Sequence, residues 1–259
     1  MSFVDHLEQL RWHVIKATIA MLICTVLAFT NMDIIFHHIL LAPARNDFWT
    51  FRKFCEYFSY CVEPMKFSLQ SRTMTGQFSM HITASFVIGF VASFPYIFYQ
   101  AWQFIKPGLN IKERNTSLNA VFSVSLLFFI GVLFGYFMVL PVTMNFLINY
   151  QIDPTIVNQF DVTSYISMVC FMAIGCGLMF ELPVLIYILS KLGMMTPTFM
   201  RQYRRHAVVV IMLISAILTP SPDMFSQLII GIPLILLYEI SIFISAYVVK
   251  KKEEEEFND

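Results

Sequence analysis

The chain has 259 residues, 58% of them apolar and 16% aromatic, with only 13% charged and a formal net charge of zero. Soluble domains average about 45–50% apolar and about 25% charged residues. A soluble globular protein is therefore excluded, and nothing in the charge balance draws the chain to nucleic acid.

In chain order, residues 1–11 mix polar and apolar side chains, with Phe3, Leu7 and Leu10 at helical spacing. This pattern predicts an amphipathic helix lying on a membrane surface. No small-residue cleavage site follows, so no removable signal is expected. Six apolar runs come next, at about 12–30, 78–102, 118–142, 165–189, 207–218 and 228–249. About 20 apolar residues cross a hydrocarbon core; the fifth run is a dozen residues long, about 18 Å as a helix. The predicted fold is an all-α polytopic membrane protein, one integral-membrane domain over 1–259 with six transmembrane helices. Residues 31–77 read as a long polar loop. Cys55 and Cys61 share it and can pair if it faces an oxidising space, while Cys24, Cys170 and Cys176 fall in apolar runs as small packing residues.

The cations orient the chain. With the N-terminus inside, twelve of the 17 Lys and Arg lie on inside segments, and the loops at 143–163 and 219–225 carry none. The positive-inside rule puts both termini in the cytoplasm.

Tyr99–Arg114 is the stretch around which the rest is organised. Pro107 and Gly108 break it, Lys106, Lys112 and Arg114 charge it, and Glu113 sits among them. It reads as a fixed ledge at the bilayer surface that, with the N-terminal segment, docks a positively charged peptide. Glu181 lies within the fourth run, where an ionised carboxylate costs about 2.5–3.5 kcal/mol or more. It is either a polar point in a groove or ion path, or a protonated acid hydrogen-bonded to a neighbouring helix. Pro183 is expected to kink that helix. Glu239 reads as a second buried acid, with Tyr238 or Ser241 as its hydrogen-bonding partner. Asp223, at the outer end of the sixth run, reads as a helix cap at least as readily as a binding residue. Gly175 and Gly177 read as close helix contacts. No hydrolase, metalloprotease, P-loop or dinucleotide motif occurs, and the cysteines fit no zinc spacing, so no catalytic residue, metal or cofactor is expected.

His6-Leu-Glu-Gln-Leu-Arg11, Tyr99-Gln-Ala-Trp-Gln-Phe-Ile-Lys-Pro107, Lys112-Glu-Arg114, Phe180-Glu-Leu-Pro183, Pro222-Asp-Met-Phe-Ser-Gln227 and Leu237-Tyr-Glu-Ile-Ser-Ile-Phe243 stand in this order. Together they resemble the TatC family, the multi-spanning subunit of the twin-arginine protein translocase. The resemblance implies a glove-shaped six-helix bundle with short fifth and sixth helices, set in a bacterial cytoplasmic (inner) membrane or an organelle membrane. It implies recognition of the Arg-Arg signal peptides of folded cargo at the cytoplasmic face. It also implies work in an oligomeric complex with single-span partners, TatA and often TatB, driven by the proton-motive force. By position, Glu113 resembles the family's signal-binding acid and Phe104 the aromatic beside it. Glu181 resembles the acid of the concave face. Thr219 and Gln227, with Asp223 a looser match because of the extra Ser221, resemble polar residues where a partner helix docks. Pro43 resembles a structural proline of the first outer loop.

One position departs from the family pattern. Where the family carries an acid that also contacts the arginine pair, this chain has Gln9, and its acid is Glu8, one residue earlier and about 100° around a helix. Two guanidinium groups call for two planar acceptor groups on a rigid surface, each charge-assisted bond contributing about 1.5–3 kcal/mol. An exposed pairing of Glu113 with Lys112 or Arg114 contributes about 0–1 kcal/mol and can open for such a ligand. The apolar stretch of the signal is then expected to enter a groove near Glu181. The competing reading is an ion-coupled small-solute transporter with Glu181 as its coupling acid. It needs a through-path and usually an internal repeat, and the sequence offers neither.

Overall fold

A computed structural model of the chain describes residues 3–45, 48–58, 68–105, 117–153, 155, 158–219 and 224–258. Helix α1, Phe3–Thr30, is a single 28-residue rod of about 42 Å. The amphipathic N-terminal segment is thus not a separate surface helix. No proline or glycine interrupts residues 3–30, so the helix runs unbroken from the motif into the span.

The predicted polar loop after α1 is instead a folded cap. It comprises α2 (Met32–Ile35), a π-helical turn Phe36–Leu40, a 3-10 turn Ala42–Ala44 and α3 (Trp49–Phe58). Met32, Leu40, Phe48 and Phe51 are buried against Leu140, Met144, Tyr165 and Ile166 of later helices, which is why so many aromatics occur there. Pro43 is fully buried. Strand β1, Leu69–Gln70, pairs in parallel with β2, Phe160–Asp161, tying the cap to the connection before the fourth span.

Helix α4, Gly76–Ile105, packs against α1 along their length. The third span is built from α5 (Ser117–Phe134), a π-helical stretch Gly135–Val139 and α6 (Leu140–Asn149), so residues 143–149, expected in a loop, are helical. Pro141 lacks an amide donor for the carbonyl four residues back, that of Phe137. Thr50 Oγ1 of the cap donates to that carbonyl at 2.6 Å. Tyr136 and Tyr165 donate to Ile39 O and Leu40 O, each at 2.6 Å, and complete the attachment.

The fourth span is two helices, α7 (Val162–Met179) and α8 (Leu182–Lys191), broken at Phe180–Glu181 just ahead of Pro183. Gly177 of α7 lies so close to α5 that an added Cβ would sit 2.7 Å from the Phe128 ring. Gly193, at φ +74°, closes the end of α8. Thr196 caps α9 (Pro197–Gln202), accepting from Phe199 N.

Helix α10, Arg204–Leu218, has 15 residues and reaches about 22 Å, short of a core about 30 Å thick. Helix α11, Met224–Asn258, has 35 residues and is not short. Lys250–Glu256 is an unbroken run of strong helix formers, so the helix continues past its apolar part. Among the described residues five helical stretches are long and apolar enough to cross a bilayer: Leu7–Thr30, Gly76–Ile105, Val121–Asn149, Val162–Lys191 and Met224–Lys251.

Candidate functional site

The antiparallel packing of α1 and α4 brings the start of one against the end of the other. Glu8 is exposed, whereas Gln9 is half-buried. Gln9 stands one turn before His13 on the same helical face. His13 Nδ1 lies 2.7 Å from Gln100 Oε1 of α4; with that oxygen accepting, the ring proton is on Nδ1. Beside this pair runs an apolar groove of about 480 Å³ between the two helices, with Leu10, Val14, Ala101 and Phe104 among its walls. Phe104 belongs to the last turn of α4 rather than to a loop, so a continuous backbone ladder holds it. Glu113 lies outside the described residues, as does Asp223; the side chain of Cys55 and all of Cys61 do too.

The sequence reading passed over His13 and Gln100. Gln100 stood within the Tyr99–Arg114 stretch, but helical spacing alone does not pair it with a residue 87 positions away.

Glu181 sits in the break between α7 and α8. Both carboxylate oxygens are buried, and among the described residues neither has a hydrogen-bond partner. The alternative of a protonated acid bonded to a neighbouring helix therefore finds no partner here. Glu181 is not on the α1–α4 groove. Pro183 and Val184, two and three residues on, line a second apolar groove of about 480 Å³ with Trp102 of α4, residues of α5 between Ser123 and Ile130, and Ile244 of α11.

Glu239 is not a buried acid bonded to Tyr238 or Ser241. Its side chain is 33% exposed and clasps Arg204 in two places, Oε1 at 2.8 Å from Nε and Oε2 accepting from Nη2 at 2.9 Å. Tyr238 donates instead to Met200 O, and Ser241 to Leu237 O of its own helix. No spacing pattern reveals that the turn at Gln202–Arg204 delivers a guanidinium 35 residues away to Glu239.

Thr219 is buried, its hydroxyl donating to Ser215 O and Ala216 O, and Gln227 Nε2 donates to Met212 O at 3.0 Å. Gln227 thus ties the start of α11 to α10, while Thr219 bonds back into the last turn of α10 itself. Around them Ile217, Met224 and Phe225 are at least 72% exposed.

The apolar helices, buried polar break and membrane-length spans define a polytopic helical membrane protein, and no group of three metal-ligating side chains occurs among its described residues. A family model described as Sec-independent protein translocase protein (TatC) matches residues 5–233. The Sec-independent protein translocase protein TatC of Blattabacterium sp. subsp. Periplaneta americana (strain BPLAN) is 38% identical over 97% of both chains. That of Aquifex aeolicus (strain VF5) is 32% identical over 98% of both. A crystal structure described as the twin arginine translocase receptor TatC superposes with a TM-score of 0.74 at 32% identity, covering 94% of this chain and 99% of that one. The chain belongs to the TatC family. It is a multi-pass membrane component of the Sec-independent protein translocase and not an enzyme. Nothing in these likenesses supports an ion-coupled solute transporter.

Proposed function

We propose that the chain is the translocase subunit that receives twin-arginine signal peptides at the cytoplasmic face of a bacterial inner membrane. In this reading it is one integral-membrane domain with six spans, α10 the short fifth, and both termini are cytoplasmic. The arginine pair is held by Glu113 with Gln9 and Glu8 nearby. The observation that carries the reading is the convergence of the N-terminal motif and Phe104 at one end of the α1–α4 pair, beside an apolar groove. In a signal peptide an apolar stretch follows the charged residues. The α1–α4 groove adjoins Phe104 and is a better seat for the first residues of that stretch than a groove near Glu181. The exposed apolar residues around Thr219 and Gln227 supply the surface on which a TatA-type or TatB-type single-span partner docks, within an oligomeric complex.

The half-buried Gln9 shares a face with His13, while Glu8 points about 100° away. An amide accepts a hydrogen bond from a guanidinium but offers no charge. Glu113 then carries most of the recognition. The test is a titration of a labelled Arg-Arg signal peptide, at fixed salt, against the parent and three variants. Glu113→Ala is expected to abolish binding, Gln9→Ala to change it little, and Gln9→Glu to tighten it by about 1 kcal/mol. A parent that binds Lys-Lys and Arg-Arg peptides alike overturns the reading.

A further inference from the structure

The α1–α4 groove is apolar along most of its length but not at one level. On α1 it runs from Leu10 to Met21, about 16 Å. Its polar lining consists of Thr18, His13 and Gln100. Thr18 Oγ1 donates to Val14 O of its own helix at 2.9 Å, so its proton is used within α1. His13 Nδ1 donates to Gln100 Oε1 at 2.7 Å. That bond satisfies the amide oxygen and leaves the two N–H donors of Gln100 Nε2. Among the described residues none accepts from them. Gln100 is nevertheless only 6% exposed. A side chain more than nine-tenths buried thus lines the groove with donors to spare.

The level of this amide is set on both walls. His13 is one turn deeper than Gln9 on α1, and Gln100 one turn deeper than Phe104 on α4, about 6 Å in each case. A peptide entering past Gln9 and Phe104 reaches Nε2 after that distance. Away from water an apolar stretch satisfies its own backbone as a helix. About ten residues of helix fill the groove, within the range of about 7–15 for a signal's apolar stretch. The carbonyls of such a helix are occupied internally, so a side chain must supply the acceptor. A wholly apolar stretch buries the Nε2 donors without a partner, at a cost in free energy. A serine or threonine hydroxyl answers them: its oxygen accepts from Nε2 while its proton goes to the carbonyl one turn back.

We propose that Gln100, held by His13, is a specificity-determining residue of the α1–α4 groove. It selects signal peptides that carry a serine or threonine one helical turn, about three or four residues, beyond the residue seated against Phe104. This deepens the signal-peptide reading and rests on it. Leu10 and Phe104 accept any apolar side chain, whereas Nε2 distinguishes threonine from valine, which has the same shape without the hydroxyl. His13 is a positioning residue: it occupies the amide oxygen and so fixes which end of the amide is left for the peptide.

The test uses the purified full chain and labelled synthetic Arg-Arg peptides with a leucine–alanine apolar stretch. A single threonine, or in the paired set a single valine, is moved through successive positions of that stretch, and each peptide is titrated at fixed salt. The parent is expected to prefer threonine by about tenfold, equivalent to about 1.4 kcal/mol, at one position or two on the same helical face. Elsewhere valine binds at least as well, because a hydroxyl buried without a partner gains nothing. Gln100→Met keeps the length of the side chain without the donors and removes the preference; His13→Phe reduces it. Melting temperatures show whether each variant is folded, and the scan on the parent decides the proposal if either is not. Threonine and valine bound alike at every position, by a parent that still separates Arg-Arg from Lys-Lys peptides, overturns the specificity role and leaves the signal-peptide reading standing. A parent that does not separate them overturns both. A threonine preference that survives in folded Gln100→Met assigns the hydroxyl to another donor and also overturns the proposal.

Discussion

Replacing Glu181 separates what the fold needs from what transport needs. In the parent its two carboxylate oxygens are buried without a partner among the described residues. A buried unsatisfied polar group costs about 1–3 kcal/mol, and a carboxylate within a span costs about 2.5–3.5 kcal/mol if ionised. Glu181→Leu removes that cost and leaves no orphaned partner among the described residues, so it is expected to leave stability unchanged or to raise it by up to about 3 kcal/mol. Glu181→Gln keeps a polar group of the same shape and falls between the two. Glu181→Lys adds a long cation to a site built at a helix break and is expected to lose about 2.5–3.5 kcal/mol. The assay pairs thermal unfolding of the purified protein in detergent with export of a twin-arginine reporter in cells. Glu181→Gln is expected to export well and Glu181→Leu poorly, although the Leu variant folds at least as firmly. That split places the partner of Glu181 outside the chain. A Leu variant that loses more than about 2 kcal/mol of stability refutes the reasoning, because an internal partner must then exist. Full loss of export with Gln, at unchanged stability, shows instead that the acid itself titrates during transport.

Three further outcomes are expected. A cysteine in place of Ile152, which is 84% exposed between α6 and α7, reacts with an impermeant thiol reagent in intact cells, whereas one in place of Asn110 reacts only after the membrane is opened; the reverse pattern rejects the orientation. Tyr165→Phe strips the donor from the buried Leu40 carbonyl and Thr50→Val strips it from that of Phe137, each lowering unfolding stability by about 1–3 kcal/mol; no change in the melting temperature of either contradicts the cap assignment. Asp161 accepts from the backbone amides of Arg72 and Ser164, which hold its carboxyl below its usual value of 3.8. Its contribution is therefore present above that usual value and disappears as pH falls through the lower folded value. Exchange protection at those two amides, corrected for intrinsic rate, stays constant from pH 7 to pH 5 and falls only in stronger acid, whereas Asp161→Asn lowers it throughout.

The apolar runs were legible because a bilayer imposes a length and a composition on every helix that crosses it, and Pro183 announced the break beside Glu181 by removing a backbone donor. The cap was not legible, because Phe48, Phe51 and Leu40 are apolar residues in a polar stretch without membrane length, and only their burial against Tyr165 and Ile166 explains them. The polar pairs escaped for a related reason. His13 with Gln100 and Arg204 with Glu239 meet through tertiary packing, and neither spacing nor propensity encodes such a meeting. Glu239 illustrates how hydropathy misleads. A carboxylate flanked by Tyr, Ile and Ser reads as buried, yet it lies where an arginine on the next helix end reaches it.

The cap also sets a schedule for biosynthesis. Leu40 is made 125 residues before Tyr165, the side chain that completes its hydrogen bonding. At about 5–20 residues per second, that interval lasts about 6–25 s. During it the apolar sides of Leu40, Phe48 and Phe51 wait for the helices that bury them, of which the one carrying Tyr165 and Ile166 is made last. The nascent cap must therefore rest against the bilayer surface or a chaperone until the fourth span is inserted. A translational pause ahead of codon 165 prolongs that exposure, and one placed after codon 170 does not.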